Sequence, residues 1–99
     1  MSVELSCKDA CLTAKLSGEL DHHAAAEMRI SIDGELERTS PRLLILDFGK
    51  VSFMDSSGIG LILGRARLLS SWGGKIIAIN TSDRIRKIIT LSGLGQIIR

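Results

Sequence analysis

The chain has 99 residues, 44% of them hydrophobic and 24% charged, the composition of one folded globular domain over residues 1–99. A domain this small buries only about two thirds of its unfolded surface, so a deep enclosed active site is disfavoured and function is expected on the surface. The net charge of +2 divides unevenly, with six basic and ten acidic residues in 1–60 against seven basic and one acidic in 61–99, and that bipolarity suits a charge-complementary protein partner.

One Trp, two Phe and no Tyr offer little for bases to stack on, and no DNA-binding motif is present, which argues against direct nucleic-acid binding. The N-terminus "MSVELSCKDAC" lacks a basic segment followed by an apolar one, and no run approaches the roughly 18 apolar residues of a membrane span. A cytoplasmic protein without membrane contact is expected. Cys7 and Cys11 are then reduced thiols, and a zinc site would need two further ligands that are not nearby.

In chain order, Val3, Leu5 and Cys7 alternate with polar residues, as do Leu12, Ala14 and Leu16, which predicts two half-buried strands joined as a hairpin through "KDA". "SGE" is read as the end of the second strand. Asp21 has the chemistry of an N-cap, and Ala25, Met28, Ile32 and Leu36 predict an amphipathic helix from about His22 to Glu37, stopped by "TSP". "RLLILDF" is an unbroken apolar run, expected at the sheet centre and covered on both faces. After "MDSSG", residues Ile59, Ile62, Leu63, Ala66, Leu69 and Trp72 trace one helical face that ends at Gly73-Gly74. "KIIAIN" is a further buried strand. Ser82 caps a third helix with Ile85, Ile88 and Ile89 inward, and a last short strand is placed at Ile97-Ile98. The order β-β-α-β-α-β-α implies an α/β domain with a mixed sheet, parallel where helices connect the strands and antiparallel at the hairpin.

The segment "SSGIGLILG" spaces its glycines as G-x-G-x-x-x-G, which is neither the dinucleotide fingerprint nor a P-loop, and no lysine follows them. It is not G-x-S-x-G either, and only His22 and His23 could act as a base, so no nucleophile, base and oxyanion site assemble and no catalytic residue is assigned. A serine between a buried strand and a helix start instead presents its hydroxyl at the surface beside unpaired N–H groups, where a phosphoryl group is tolerated. The simplest role for Asp55, Ser56 or Ser57 is an N-cap, and two serines allow both roles at once. Gly58 and Gly60 each lower helix propensity by up to about 1 kcal/mol relative to alanine, a concession expected where another backbone or a partner comes close. His23 and Glu27 stand at metal-ligand spacing, but without a second pair no metal or other cofactor is assigned. Adjacent His22 and His23 point about 100° apart and read as surface or interface residues. "RIRKII" reads most simply as a solvated helix face, with a partner-binding edge as the alternative.

Taken together and in order, "GELDHH", "SFMDSSGIGLILGR" and "LSGLGQIIR" resemble the anti-sigma factor antagonists of the STAS domain family, and "GELDHH" points toward the sporulation branch that serves sigma F. The resemblance covers essentially the whole chain. It implies a mixed, mainly four-stranded sheet packed against helices and a protein that is not an enzyme. It further implies that the unphosphorylated form binds an anti-sigma factor that is also a serine kinase, releasing a sigma factor. The kinase would phosphorylate the first serine of "DSSG", Ser56, ending the interaction, and a type-2C serine phosphatase would reverse it. Asp21, His22 and His23 match a turn expected beside the motif, so the implied partner-binding residues are these three with Met54, Asp55, Ser57, Gly58, Ile59 and Gly60. The family usually continues beyond "SGLGQII" into a further C-terminal helix, which is expected to be missing from a chain that stops at Arg99. Related domains of this family in sensory proteins and transporters bind small ligands or nucleotides, which is the alternative function.

Overall fold

The computed structural model describes residues 2–99. Four strands form one sheet in the order β1-β2-β3-β4: β1 (Ser2–Lys8), β2 (Cys11–Leu20), β3 (Leu43–Met54) and β4 (Lys75–Ile79). Helix α1 (His22–Thr39) joins β2 to β3, α2 (Ser56–Ser70) joins β3 to β4, and α3 (Asp83–Leu91) follows β4. β1 pairs antiparallel with β2, whereas β2–β3 and β3–β4 are parallel, so the sheet is mixed as expected. The hairpin turn is Asp9-Ala10, both at positive φ, the conformation that matches the twist of a two-residue connection.

Register places the core. Leu12 lies opposite Leu44, which lies opposite Ile76, and Ala14, Leu46 and Ala78 form the next row. All six are buried, and they meet Met28, Ile32 and Leu36 of α1, Leu61, Ile62 and Leu69 of α2, and Ile85 and Ile89 of α3 in one cluster. The alternate residues of β3 and β4, Leu43, Ile45, Ile77 and Ile79, are only half-buried. The expectation that "RLLILDF" is covered on both faces is therefore wrong. Its outward side chains are apolar, but the helices pack against one face only, and Lys15 and Lys75 stand in the solvent on the other.

Other departures have local causes. β2 does not stop at "SGE" but runs on to Leu20, because two register shifts, at Lys15/Ser17 and Gly18/Glu19, let it bend and stay paired with β3. Gly18 sits there at φ +96, so the glycine that reads as a terminator is used as a bulge. β3 likewise continues past Phe48 through Gly49 and Lys50 to Met54. α1 continues two residues beyond Glu37 and is closed by Ser40 in a left-handed cap. Trp72 lies in the turn after α2, where its indole N–H donates to the Pro41 carbonyl at 2.8 Å. In place of a final strand at Ile97-Ile98, a single 3-10 turn spans Gly95–Ile97, and Ile98 makes one parallel bridge to Ala78.

The Asp47 carboxylate ties β3 to the end of β4. Its Oδ1 accepts from the Gly49 N–H at 2.9 Å and from Asn80 Nδ2 at 3.0 Å, and these bonds hold the carboxyl below the usual range, with Lys15 and Lys50 adding a weaker pull in the same direction. A carboxyl depressed in the folded state contributes stability above its unfolded pKa of about 3.9 and loses it as pH falls through the lower folded value. Asn80→Ala should move the Asp47 titration, followed by its carboxyl carbon resonance, up toward the ordinary range and shift acid unfolding to higher pH. An unchanged titration would show that the Asn80 bond has no weight.

Candidate functional site

The parallel pairing of β2 with β3 ends with Leu20 opposite Met54, so both strands stop side by side at one edge of the sheet. Each then makes the same move. β2 passes through Asp21 into α1, and β3 passes through Asp55 into α2. Both aspartates are extended N-caps: Asp21 Oδ1 accepts from the Ala24 N–H at 2.9 Å, and Asp55 Oδ1 from the Ser57 N–H at 2.8 Å. The Asp55 N–H also donates to the Leu20 carbonyl at 3.4 Å, which links one turn to the other.

This answers which residue caps α2. Asp55 does, so neither serine hydroxyl is needed for capping. Ser56, the first helical residue, is exposed, whereas Ser57 is half-buried and faces the groove between α1 and α2. His22 and His23 are exposed on the neighbouring turn, and His23 Nε2 lies 3.5 Å from Glu27 Oε1. Ile59 is half-buried and Gly60 exposed. Asp21, His22, His23, Asp55, Ser56, Ser57, Ile59 and Gly60 are thus brought to the same edge.

Met54 and Gly58 differ from the rest of the expected set, because both are buried. A Cβ on Gly58 would stand 2.3 Å from Met54 Cγ, 2.6 Å from its Sδ and 3.1 Å from Leu20 Cδ2. The close approach that this glycine permits is therefore internal: it lets the first turn of α2 settle onto Met54 and Leu20. At Gly60 a Cβ would meet nothing within 4 Å, so that position opens outward.

Two shallow depressions flank the turns. One, of about 460 Å³, is lined by Glu19, Asp21, His23, Glu27 and Ser52 and is acidic in character. The other, of about 400 Å³, follows the groove between α1 and α2 and contains Arg29 and Arg65. Phe53, 41% exposed and paired in register with Glu19, adds an apolar contact at the same edge. It was absent from the sequence-derived set, although strand alternation supplies the signal: with Met54 inward, Phe53 must face out. Chemically the edge presents a free primary hydroxyl at a capped helix start, among the described residues without a hydrogen bond from either serine hydroxyl to a histidine. That arrangement suits a hydroxyl acted upon by another protein.

Residues 2–99 match the STAS domain family. The chain is 33% identical over 98 residues to an anti-sigma F factor antagonist of Paenibacillus polymyxa, covering 99% of this chain and 84% of that protein. It is 43% identical over 81 residues to an anti-sigma F factor antagonist of Lysinibacillus sphaericus, covering 82% and 69%. Among solved structures, the anti-sigma factor antagonist SpoIIAA in its unphosphorylated form superposes with a TM-score of 0.89 at 37% identity, over 99% of this chain and 86% of that one. The phosphorylated form of SpoIIAA from Bacillus matches with a TM-score of 0.81, over 99% and 89%.

The two glycines should separate experimentally. Gly58→Ala forces Met54 to move within a packed core and is expected to destabilise by about 1–3 kcal/mol. Gly60→Ala gains helix propensity in open space and should stabilise by up to about 1 kcal/mol. Urea unfolding measures both, and equal effects would contradict the packing described.

Proposed function

The chain belongs to the STAS domain family, in its anti-sigma factor antagonist branch, and from that premise we propose that it is a cytoplasmic binding protein, not an enzyme, that captures an anti-sigma factor kinase and thereby frees a sigma factor. Phosphorylation of Ser56 by that kinase ends the capture, and a type-2C serine phosphatase restores it. The observation that carries this reading is the exposed Ser56 hydroxyl at the start of α2, beside a second Asp-capped turn bearing His22 and His23. The existence of a phosphorylated form of SpoIIAA, a 37% identical protein, supports it further.

The switch follows from charge. A phosphoryl group adds about −1.5 to −2 charges at neutral pH and three acceptor oxygens. Asp55 cannot accommodate it, being itself anionic and engaged with the Ser57 N–H. Inside an interface fitted to a neutral hydroxyl, an uncompensated charge is excluded at a cost of several kcal/mol. A loss of about 3 kcal/mol already weakens binding more than a hundredfold, so no refolding of the domain is required.

Incubated with its anti-sigma factor kinase and ATP, the protein should gain one phosphoryl group by intact mass, and Ser56→Ala should gain none. Ser56→Asp should bind the kinase at least about tenfold more weakly by calorimetry, since it carries only part of the phosphate charge. Phosphorylation of Ser56→Ala to the wild-type level would overturn the site assignment, and failure of the wild type to bind would overturn the function.

A further inference from the structure

His22, Ala26 and Arg29 on α1 face Ser57, Gly60 and Arg65 on α2 across a groove of about 400 Å³. The small residues Ala26 and Gly60 keep its walls apart. At its far end lies a charge imbalance. Arg65 points inward from α2 and is only 8% exposed, the one buried charged side chain among the described residues. Its Nε lies 2.8 Å from Asp33 Oδ1 on α1, off the line of a good hydrogen bond, so the contact is an ion pair. Arg29 stands one turn before Asp33 on α1.

Burial lowers the Arg65 pKa from its ordinary value, Asp33 raises it, and the like charge of Arg29 lowers it again, which places both guanidiniums in one electrostatic neighbourhood. The ion pairs among the described residues are His23–Glu27, Arg38–Glu35 and Arg65–Asp33, so Arg29 has no carboxylate partner. Two cations thus line one groove, and the nearby carboxylate of Asp33 pairs with Arg65 alone. A second carboxylate there would neutralise the excess charge and accept charge-assisted hydrogen bonds from a planar guanidinium fork, the donor that matches a carboxylate best.

We propose that the α1–α2 groove is the receptor for an acidic side chain, Asp or Glu, of the anti-sigma factor, held by Arg29 and Arg65; this rests on the function proposed above. The groove is continuous with the Ser56 edge, since His22 and Ser57, the neighbours of that edge, line it. From Ser57 to Arg65 it runs about 12 Å along the helix, enough for a side chain carried in on a docked backbone and more than a free anion fills. A segment covering Ser56 can therefore insert its carboxylate between the helices.

Two measurements on the full chain test this. The first follows the Nε–Hε resonances of Arg29 and Arg65 during titration with N-acetylglutamate N-methylamide, with the glutamine analogue and inorganic phosphate as controls at constant ionic strength. Saturable shifts of both resonances with the glutamate compound alone are expected. No shift, or a shift with phosphate only, overturns the proposal, the latter by assigning the groove to a free anion. The second compares anti-sigma factor binding of the wild type with Arg29→Glu, an exposed position whose exchange leaves the Arg65–Asp33 pair in place. Weakening by at least about tenfold with an unchanged unfolding midpoint is expected. Equal binding retires the groove while leaving the function intact, whereas a wild type that binds no anti-sigma factor retires the function as well.

Discussion

The parallel pairing of β2 with β3 is the constraint on which the rest depends. It sets Leu20 beside Met54, and because both strands end there, two helices begin next to each other at one edge of the sheet. Without that register the "GELDHH" and "MDSSG" stretches, more than 30 residues apart in sequence, would have no reason to share a surface. Their aspartates then do identical work, turning an extended strand into a helix by accepting a backbone N–H. The two first turns are fixed before any partner arrives. A pre-formed surface loses little conformational entropy on binding, so under the proposed function an added phosphoryl charge acts on the contact itself and not on the folding of the turns.

The helices carry a second layer of that arrangement. α1 and α2 pack on the same face of the sheet through Met28, Ile32, Leu61 and Ile62, and they are joined above the core by Arg65 and Asp33. A half-compensated buried cation is costly, and removing one partner of such a pair commonly destabilises more strongly than the pair itself stabilises. Under the recognition role proposed above, an acidic side chain entering the groove that Arg65 lines with Ser57 offsets that cost. The acidic depression around Glu19 and Glu27 lies on the other side of the same turns. The edge is therefore polarised, with a basic and an acidic depression on either side of the two turns, and under the proposed function that gives a partner an orientation as well as an affinity.

Much of this was legible in the sequence, for definite reasons. The strand–helix order follows from alternation and helical periodicity, and Asp21 is identified as a cap by residue type and position. The family resemblance singles out Ser56 because the motif around it is local. The failures are long-range. Gly18 is a break by local rules, but its bulge exists only because β3 continues alongside. Trp72 fits the helical stripe of α2, while its hydrogen bond reaches Pro41, 31 residues away. The two glycines of "GIG" look alike in sequence and act differently, one closing onto Met54 and the other opening to the groove. Arg65 left a trace, a charge on the inward stripe of α2 beside Leu61, Ile62 and Leu69, but only its 2.8 Å separation from Asp33 explains it.

Amide hydrogen exchange of the full chain, free and saturated with its anti-sigma factor, tests the central claim most directly. Protection gained in residues 21–29 and 53–65, with α3 and the open face of the sheet unchanged, is the result predicted. Protection confined to α3 or to that open face, with both Asp-capped turns exchanging as in the free protein, would contradict it.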